Sequence, residues 1–438
     1  MAATLLEDAS GFEGYADQLC VPASEAELTA LLEQATRERI PVTISGAGTG
    51  LTGGCVPNGG WAISMEKFQR LDIQPGRAIT GAGVSLHALQ EAAGRSGQFY
   101  APDPTEWTAS VGGSIATNAS GSRSFRYGST RRHILALKVA SIDGSIREFR
   151  RGDAVDFTIR EIPLPRTTKN TTGYLLRPGM DWIDLFAGSE GTLGIVVEAE
   201  LQLLPKPADV LAGVVFFPSD KAALDAVDSW RSVERLRMLE YFDRNSLELL
   251  RARYAEVPTD AQAALLIEQE DGDVDFWADR VDEDSWFAAG DRDRERFRQF
   301  RHALPEMVND IMRRRGFLKL GSDYAVPLDR NREMLAYYHA RLAHFDHVIF
   351  GHIGDAHVHA NILPKSPEDF EAGKALMLDF AHRAVSLGGA ASAEHGLGKR
   401  KAHLLAIQYT ADQIEAMKAV KRRLDPNWLL GQGNIFPP

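Results

Sequence analysis

Hydrophobic and polar positions follow two different periods along the first half of the chain. Leucines and an alanine recur at helical spacing between Ser24 and Arg39, so this segment is predicted to be a helix with Ser24 as its N-cap. The segments PVTISG and GWAISM predict short strands, and VSLHALQEAAGRSG predicts a helix that ends in glycine. Strands, glycine turns and helices alternate up to Pro205, which favours an α/β or α+β layout.

The pattern changes after the prolines at 205 and 207. The segments VLAGVVFFP and AALLIEQE predict strands, AALDAVDSWRSV predicts a helix, and HVIFGHIGDAHVHANILP predicts strand, turn and strand. The stretch from Asp291 to Arg301 mixes acidic and basic residues, which predicts a solvated helix face. We interpret the second half as an antiparallel sheet covered by helices.

Composition narrows the class of protein. A chain of 438 residues predicts two or three domains, and 44% hydrophobic with 25% charged residues is typical of a soluble globular protein. A net charge of -11 argues against a nucleic-acid partner. Cys20 and Cys55 show no CxxC spacing, which favours a reducing cytoplasm. The N-terminal residues do not resemble a signal peptide, and no apolar run approaches the roughly 20 residues of a membrane span.

Two glycine-rich stretches indicate a binding site for an extended ligand. Gly48 to Gly53 fits G-x-G-x-x-G after a strand, but the glycines and Pro57 that follow break helices, so a Rossmann fold is excluded. No Lys-Ser/Thr follows, which excludes a P-loop. Such a loop can turn its N–H groups toward a pyrophosphate, or it can be a tight turn that binds nothing. The second stretch, APDPTEWTASVGGSIATNASGSRS, favours the first alternative.

Histidines and a glutamate cluster in two short segments, GHIGDAHVHANI and SAEHGLGK. On a strand, His357, His359 and Asn361 share one face, and His352 joins them only if the strand begins after Gly354 with His352 on the bend. Nitrogen and carboxylate ligands without a thiolate suit Zn²⁺, with Mn²⁺ or Fe²⁺ as alternatives. Such a site also supports hydrolysis, so the spacing alone does not choose the chemistry.

Several motifs resemble known flavoproteins. PVTISGAGTGLTGG, APDPTEWTASVGGSIATNASG, KNTTGYLL and LFAGSEGTLGIV resemble the FAD-binding domain of the vanillyl-alcohol oxidase and p-cresol methylhydroxylase (PCMH) superfamily. GHIGDAHVH and SAEHG resemble the signature of its FAD-linked D-2-hydroxyacid dehydrogenases, which include D-lactate and D-2-hydroxyglutarate dehydrogenases and the glycolate oxidase catalytic subunit. The resemblance implies an α+β fold with a two-subdomain PCMH-type FAD-binding domain (1–205), an antiparallel-sheet cap domain for substrate and metal (206–420), and a tail (421–438) that returns to the FAD domain.

The resemblance also assigns site residues. It implies that FAD lies against the first loop, the second stretch and a third segment near the adenine, and that it is bound non-covalently because the first loop has no histidine. The residues are Ser45, Gly46, Ala47, Gly48, Thr49, Gly50, Leu51, Gly53, Gly54, Pro104, Thr105, Gly112, Gly113, Thr117, Asn118, Ser120, Glu190, Ile195 and Val196. His352, His359 and Glu394 would bind the metal, and His395 would be the catalytic base. Arg301, Asn361 and Lys319 would contact the substrate.

The implied reaction is oxidation of a D-2-hydroxy acid of the lactate, glycolate or 2-hydroxyglutarate type to the 2-oxo acid. The metal would assist removal of the hydroxyl proton, and flavin N5 would accept the hydride. His357 departs from the family's usual asparagine; a neighbour of the metal site, a fourth metal ligand and a substrate contact are the alternatives, of which we favour the first. Gly321 stands where some relatives carry a lysine, which favours a monocarboxylate. The alternatives are a metal-independent flavin oxidase of a sugar or lactone and a His-rich metallohydrolase.

The sequence indicates only the class of partner that the protein would have. The reduced flavin must pass its two electrons to an external acceptor. The sequence does not distinguish between an electron-transfer flavoprotein, a quinone and a cytochrome as this acceptor. We expect no nucleic acid and no integral membrane segment. A homodimer, an accessory redox subunit and peripheral attachment of a cytoplasmic protein to the membrane stay open as alternatives.

Overall fold

The structure is a computed structural model that describes residues 4–281, 284–288 and 291–437, with the side chains of 291–294 left out. The predicted helix near Ser24 is confirmed: it runs over Glu25–Glu38 (α1), and the Ser24 side chain accepts a hydrogen bond from the N–H of Glu27. Its apolar stripe is buried, and the helix ends at Arg39 in the left-handed conformation.

Small sheets make up the N-terminal part, residues 4–205. Its helices after α1 are α2 (Leu86–Arg95), α3 (Val111–Ala116), α4 (Ser124–Tyr127) and α5 (Trp182–Phe186). Its strands are β1 (Thr4–Glu7), β2 (Glu13–Ala16), β3 (Gln18–Cys20), β4 (Val42–Ser45), β5 (Trp61–Ser64), β6 (Leu71–Gln74), β7 (Arg77–Gly81), β8 (Gln98–Phe99), β9 (Ile134–Ala140), β10 (Ile146–Arg150), β11 (Ile195–Gln202) and β12 (Leu204–Pro205). Within the described chain, β3-β5-β4 pair in parallel, whereas β10-β9-β11-β7-β6 pair antiparallel.

The second part contains one large antiparallel sheet. Its strands are β13 (Val210–Phe217), β14 (Leu236–Asp243), β15 (Ala263–Glu270), β16 (Trp286–Ala288), β17 (Leu320–Gly321), β18 (His347–His352) and β19 (His357–Ile362). Its helices are α6 (Asp220–Trp230), α7 (Arg244–Leu250), α8 (Val274–Ala278), α9 (Asp291–Arg315), α10 (Asn331–Leu342), α11 (Pro367–Ser386), α12 (Leu405–Gln408) and α13 (Ala411–Leu424). Across the described residues the strand order is β16-β13-β15-β14-β18-β19-β17.

Both faces of this sheet are covered. Alternate residues of β13 and β14 enter two different apolar clusters, one of which also contains Phe300 and Leu304 of α9. The predicted solvated face, Asp291–Arg301, is therefore wrong at its far end, where Phe300 is fully buried because α9 packs on the sheet. The side chains of 291–294 in that prediction lie outside the described residues.

The C-terminal tail returns to the N-terminal part, as predicted. The N–H of Val42 donates to the carbonyl of Leu429, and the N–H of Gly431 donates to the carbonyl of Val42, each at 2.8 Å. Asn434 Nδ2 donates to the carbonyl of Gly54 at 2.8 Å. The tail thus supports the strand and loop on which the first glycine stretch lies. In the described chain, no helix is both long and apolar enough to cross a bilayer.

Candidate active site

The two glycine-rich stretches line a single cavity of about 280 Å³. Most of the predicted cofactor residues lie on its wall, and the exceptions are Gly53 and Asn118. The N–H of Gly53 donates to Asp8 Oδ2 at 2.7 Å, and Asn118 Oδ1 accepts the N–H of Arg131 at 2.9 Å, so these hydrogen bonds support the loops that form the wall. For these two residues, direct contact with the cofactor stays a prediction.

Glycine is required at specific points of this wall. A Cβ at Gly46 would lie 2.3 Å from Ser110 Oγ, so only glycine lets the first loop approach the second stretch. Gly48 has a φ of 71° and, in the described chain, open space around its Cβ position. A cavity lined largely by glycine, alanine, serine and threonine fits a flat cofactor that carries a pyrophosphate. Ser110 and Gly121 also line it; both lie in the second stretch but were not predicted individually.

The histidines come together across neighbouring strands. The register of β18 and β19 pairs His352 with His357 and Phe350 with His359. Since residues that pair across strands share a face, His352, His357 and His359 lie on the same side of the sheet. The predicted strand, turn and strand are confirmed. His352 is the last residue of β18, so it joins the other two histidines through pairing between the strands rather than from a bend. The sequence shows the period of each strand, but not the pairing between them.

Two histidines and Glu394 form a pocket whose donor atoms could hold a metal ion. His352 Nε2 lies 3.3 Å and His359 Nε2 lies 3.4 Å from the same oxygen, Glu394 Oε1. Tetrahedral zinc with bonds of about 2.1 Å separates its ligands by about 3.4 Å. The other ring nitrogens are engaged, since His352 Nδ1 lies 2.6 Å from Glu240 Oε1 and His359 Nδ1 lies 2.9 Å from the carbonyl of Ser322. The donor set and its spacing therefore fit a divalent ion.

His357 lies behind this pocket. Its Nε2 is 3.2 Å from Asp323 Oδ1 and its Nδ1 is 4.0 Å from Glu394 Oε2. Among the described residues neither ring nitrogen makes a hydrogen bond of good geometry, although both are fully buried. Burial and the adjacent His359 lower the pKa of His357 to about 3, so the ring is neutral at pH 7. A neutral buried imidazole beside Glu394 is compatible with a metal ligand or a near neighbour of the ion.

Asp323 holds the segment that carries Glu394 and His395. It accepts the backbone N–H of both residues, at 3.3 Å and 3.0 Å, and the Ser392 hydroxyl at 2.8 Å. His395 Nδ1 lies 3.6 Å from Asp323 Oδ2, and its ring stacks on His359. Burial lowers the pKa of His395 to about 4. His395 and Glu394 also line the large cavity, so the histidine cluster opens directly into it.

Lys169 is a site residue that the sequence did not reveal. Its side chain is 1% exposed and its Nζ donates to Glu394 Oε2 at 3.0 Å and to the carbonyl of Gly121 at 3.2 Å. Asp355 Oδ2 lies 3.6 Å from the same Nζ. The residue falls inside the quoted turn KNTTGYLL, but a lysine in a polar turn carries no sign of a buried partner.

Replacing Lys169 with methionine is expected to destabilise the protein by about 3–5 kcal/mol, because it leaves two buried carboxylates without their cation. The measurement is the free energy of unfolding in urea, with Lys374→Met as the control. Lys374 forms an exposed ion pair with Glu371, and its loss should cost at most about 1 kcal/mol. Equal effects of the two substitutions would show that Lys169 does not stabilise the buried charges.

The three predicted substrate residues differ in their contacts and in their positions relative to the histidine cluster. Arg301 is mostly buried; its Nε donates to Glu240 Oε2 at 2.9 Å and its Nη1 donates to Thr105 Oγ1 at 3.3 Å. Asn361 lies on the face of His359, and its Nδ2 donates to the His359 carbonyl at 3.1 Å. Lys319 directly precedes β17, and burial together with Lys401 lowers its pKa.

Two family models match the chain. The model for the C-terminal domain of FAD linked oxidases matches residues 206–435, and a model for an FAD binding domain matches residues 16–150. The first match alone spans more than half of the chain, and the second includes both glycine-rich stretches. The chain belongs to the FAD-linked oxidases. The predicted family is confirmed, and with it the prediction of an FAD-dependent oxidoreductase.

This FAD-linked oxidase is similar to named enzymes over nearly its whole length. D-lactate dehydrogenase of Archaeoglobus fulgidus is 31% identical, with 94% of this chain and 90% of that one covered. D-2-hydroxyglutarate dehydrogenase of Xanthomonas citri pv. viticola is 31% identical, with 95% and 89% covered. Glycolate oxidase subunit GlcD of Bacillus subtilis is 29% identical, with 97% and 90% covered.

The fold of the FAD-linked oxidase is also found in a solved structure. Alkyldihydroxyacetonephosphate synthase matches with a TM-score of 0.70 at 16% sequence identity, over 94% of this chain and 75% of that one. At this identity the match shows the fold alone. Together with the two family models, it confirms the predicted α+β class, in which the family models supply the FAD-binding domain and the structure shows a second domain built on an antiparallel sheet.

Proposed function

We propose that this enzyme oxidises a D-2-hydroxy acid to the 2-oxo acid with non-covalent FAD and a divalent metal ion. The favoured metal is zinc, and its proposed ligands are His352, His359 and Glu394. One observation carries the proposal: the oxygen on which both imidazoles converge belongs to a residue that also lines the FAD cavity. In this proposal residues 1–205 hold FAD, 206–420 supply metal and substrate residues, and 421–438 pack on the FAD domain.

The names of the relatives support the substrate class. A D-lactate dehydrogenase, a D-2-hydroxyglutarate dehydrogenase and a glycolate oxidase subunit share a 2-hydroxy acid as the group that is oxidised. Gly321 provides no cation for a second carboxylate, and its missing side chain leaves room for Asn361, whose Oδ1 lies 2.9 Å from the Cβ position. We therefore expect D-lactate or glycolate to be preferred over D-2-hydroxyglutarate.

Different residues of the chain bind the substrate and remove its hydroxyl proton. Arg301 binds the carboxylate of the acid, and His395 removes the hydroxyl proton at Nε2 while Asp323 faces its Nδ1. Asn361 and Lys319 complete the substrate wall. When bound, the metal ion polarises the hydroxyl, and FAD supplies the hydride acceptor. An external electron acceptor reoxidises the reduced flavin.

Replacing Arg301 with lysine is expected to raise KM for the hydroxy acid about 10- to 100-fold, because a hydrogen bond between charged groups contributes about 1.5–3 kcal/mol. Nε and Nη1 are engaged by Glu240 and Thr105, whereas Nη2 makes no hydrogen bond within the described chain, which leaves it for the substrate. The measurement is steady-state dye reduction. Arg298→Lys, one turn earlier on α9 and paired with Glu295, is the matched control.

The substrate class is tested with the same dye assay on the D- and L-forms of lactate and 2-hydroxyglutarate, on glycolate, and on sugars and lactones. The proposal predicts turnover of one or more 2-hydroxy acids and a strong preference for the D-form. Turnover of sugars or lactones with no activity on any hydroxy acid would contradict the proposal while leaving the flavin assignment intact.

A further inference from the structure

A buried glutamate connects the metal pocket to the substrate arginine. Glu240 on β14 has a side chain that is 2% exposed, and both of its carboxylate oxygens are occupied. Oε1 lies 2.6 Å from His352 Nδ1, and Oε2 accepts Arg301 Nε at 2.9 Å. The Glu240 carboxylate therefore contacts the proposed metal ligand His352 on one side and, on the other, Arg301, which is proposed to bind the substrate carboxylate.

The fold explains why these three residues meet. The pairs Phe242 with Phe350 and Tyr241 with Gly351 place Glu240 level with His352 on the adjacent strand, and on the same face. Helix α9 covers this face through Phe300, which brings the next residue of the helix, Arg301, over Glu240. Removing a carboxylate from water costs several kcal/mol, and hydrogen bonds from two positively polarised partners offset that cost.

The carboxylate also fixes the tautomer of His352. An ionised carboxylate can only accept hydrogen bonds, so the short contact requires the proton of a neutral His352 to sit on Nδ1. The lone pair of Nε2 then points at Glu394, where the metal ion would bind. His359 obtains the same tautomer from the backbone, because its Nδ1 faces the carbonyl of Ser322.

We infer that Glu240 is a positioning residue that sets two functions at once, the metal affinity through His352 and the orientation of the substrate through Arg301. This inference rests on the proposed function, since it assumes that His352 binds a metal ion and that Arg301 binds the substrate carboxylate. Glu240 is a charged residue in the otherwise apolar centre of β14, and packing alone does not require a charge there. The inferred role gives a reason for this charge.

A neighbouring residue provides a matched control. Glu268 on β15 is also largely buried, and it accepts hydrogen bonds from Arg237 Nε at 2.7 Å and from Arg123 Nε at 3.2 Å. It shares with Glu240 a buried carboxylate bridging two elements, but it contacts no histidine of the metal pocket. Glu268→Gln therefore reports the general cost of removing a buried charge from this sheet.

The test is the zinc affinity of the FAD-loaded protein, measured by competition with a fluorescent zinc chelator. Glu240→Gln keeps the shape of the side chain, but its amide group must face either His352 Nδ1 or Arg301 Nε with a donor. We expect zinc binding to weaken about 10- to 100-fold, as is typical when the partner of a metal-bound histidine is lost. Glu268→Gln should leave zinc affinity unchanged.

A second readout separates positioning from general damage. At saturating zinc, Glu240→Gln should raise KM for the hydroxy acid more than it lowers kcat, because Arg301 loses its anchor. If wild type binds zinc and Glu240→Gln binds it equally tightly, the inference is overturned and the proposed metal centre stands. If wild type binds no zinc, the proposed function itself fails. Should Glu240→Gln not retain FAD, Glu240→Asp replaces it, since the shorter carboxylate cannot hold both partners; unchanged zinc affinity and KM would then overturn the inference.

Discussion

Replacing His395 with glutamine is expected to lower kcat for the D-2-hydroxy acid about 100- to 10,000-fold, the range that a general base contributes. Glutamine can accept a hydrogen bond, but it cannot take the hydroxyl proton. The backbone N–H of residue 395 still donates to Asp323, so the loop and the adjacent Glu394 should keep their places. We therefore expect normal FAD content, normal zinc content and a KM that changes much less than kcat.

The control is His403→Gln, which alters an exposed histidine in the same segment but outside the cavity. The measurement is steady-state turnover, together with the rate of flavin reduction in a single turnover. A His395→Gln enzyme that reduces its flavin at the wild-type rate would show that another group accepts the proton. A loss of activity that accompanies a loss of FAD would instead assign His395 a structural role.

Replacing His359 with asparagine is expected to abolish tight zinc binding and, with it, most of the activity. The change reduces the proposed ligands from three to two, and we expect a loss of affinity beyond the roughly 100-fold seen when only the hydrogen-bond partner of a metal-bound histidine is removed. Because His359 is not among the residues that line the FAD cavity, flavin binding should be retained. Zinc content per flavin and turnover before and after dialysis against zinc are the measurements.

His344→Asn serves as the control, since His344 is an exposed histidine just before β18 and belongs to none of the described groups that could hold a metal ion. Chelator treatment of the wild type should reproduce the His359→Asn phenotype, and added zinc should restore only the wild type. Full activity of His359→Asn without bound metal would favour a metal-independent flavin oxidase.

The sequence was most informative about local structure. Helix α1 and strand β15 lie within a residue of their predicted bounds, since a capping serine and an unbroken apolar run define them without help from the rest of the fold. The glycine loop was also found, because the required backbone conformation at Gly48 restricts the residue type. The hydrogen bond from the N–H of Gly53 to Asp8 was not predicted, because Asp8 lies far off in the sequence.

The residues that escaped prediction depend on long-range contacts. Lys169, Asp323 and Glu240 are each buried against partners from other segments, and their sequence neighbourhoods look like an ordinary turn or strand. Glu240 alone offered a signal, since a glutamate inside the otherwise apolar stretch MLEYF is costly unless it is paired. Parity within one strand left the position of His352 open for the same reason, since pairing between β18 and β19 brings it to His357.

Flavin absorbance during anaerobic addition of D-lactate, glycolate and D-2-hydroxyglutarate, with the L-isomers as controls, tests the central claim most directly. Our account predicts that the oxidised flavin spectrum bleaches with at least one of these acids, with the D-form where the acid is chiral. It also predicts that chelator pretreatment stops the bleaching and that added zinc restores it. Bleaching that is unaffected by complete removal of metal would contradict the role of His352, His359 and Glu394, and a flavin that none of these acids reduces would contradict the proposed reaction.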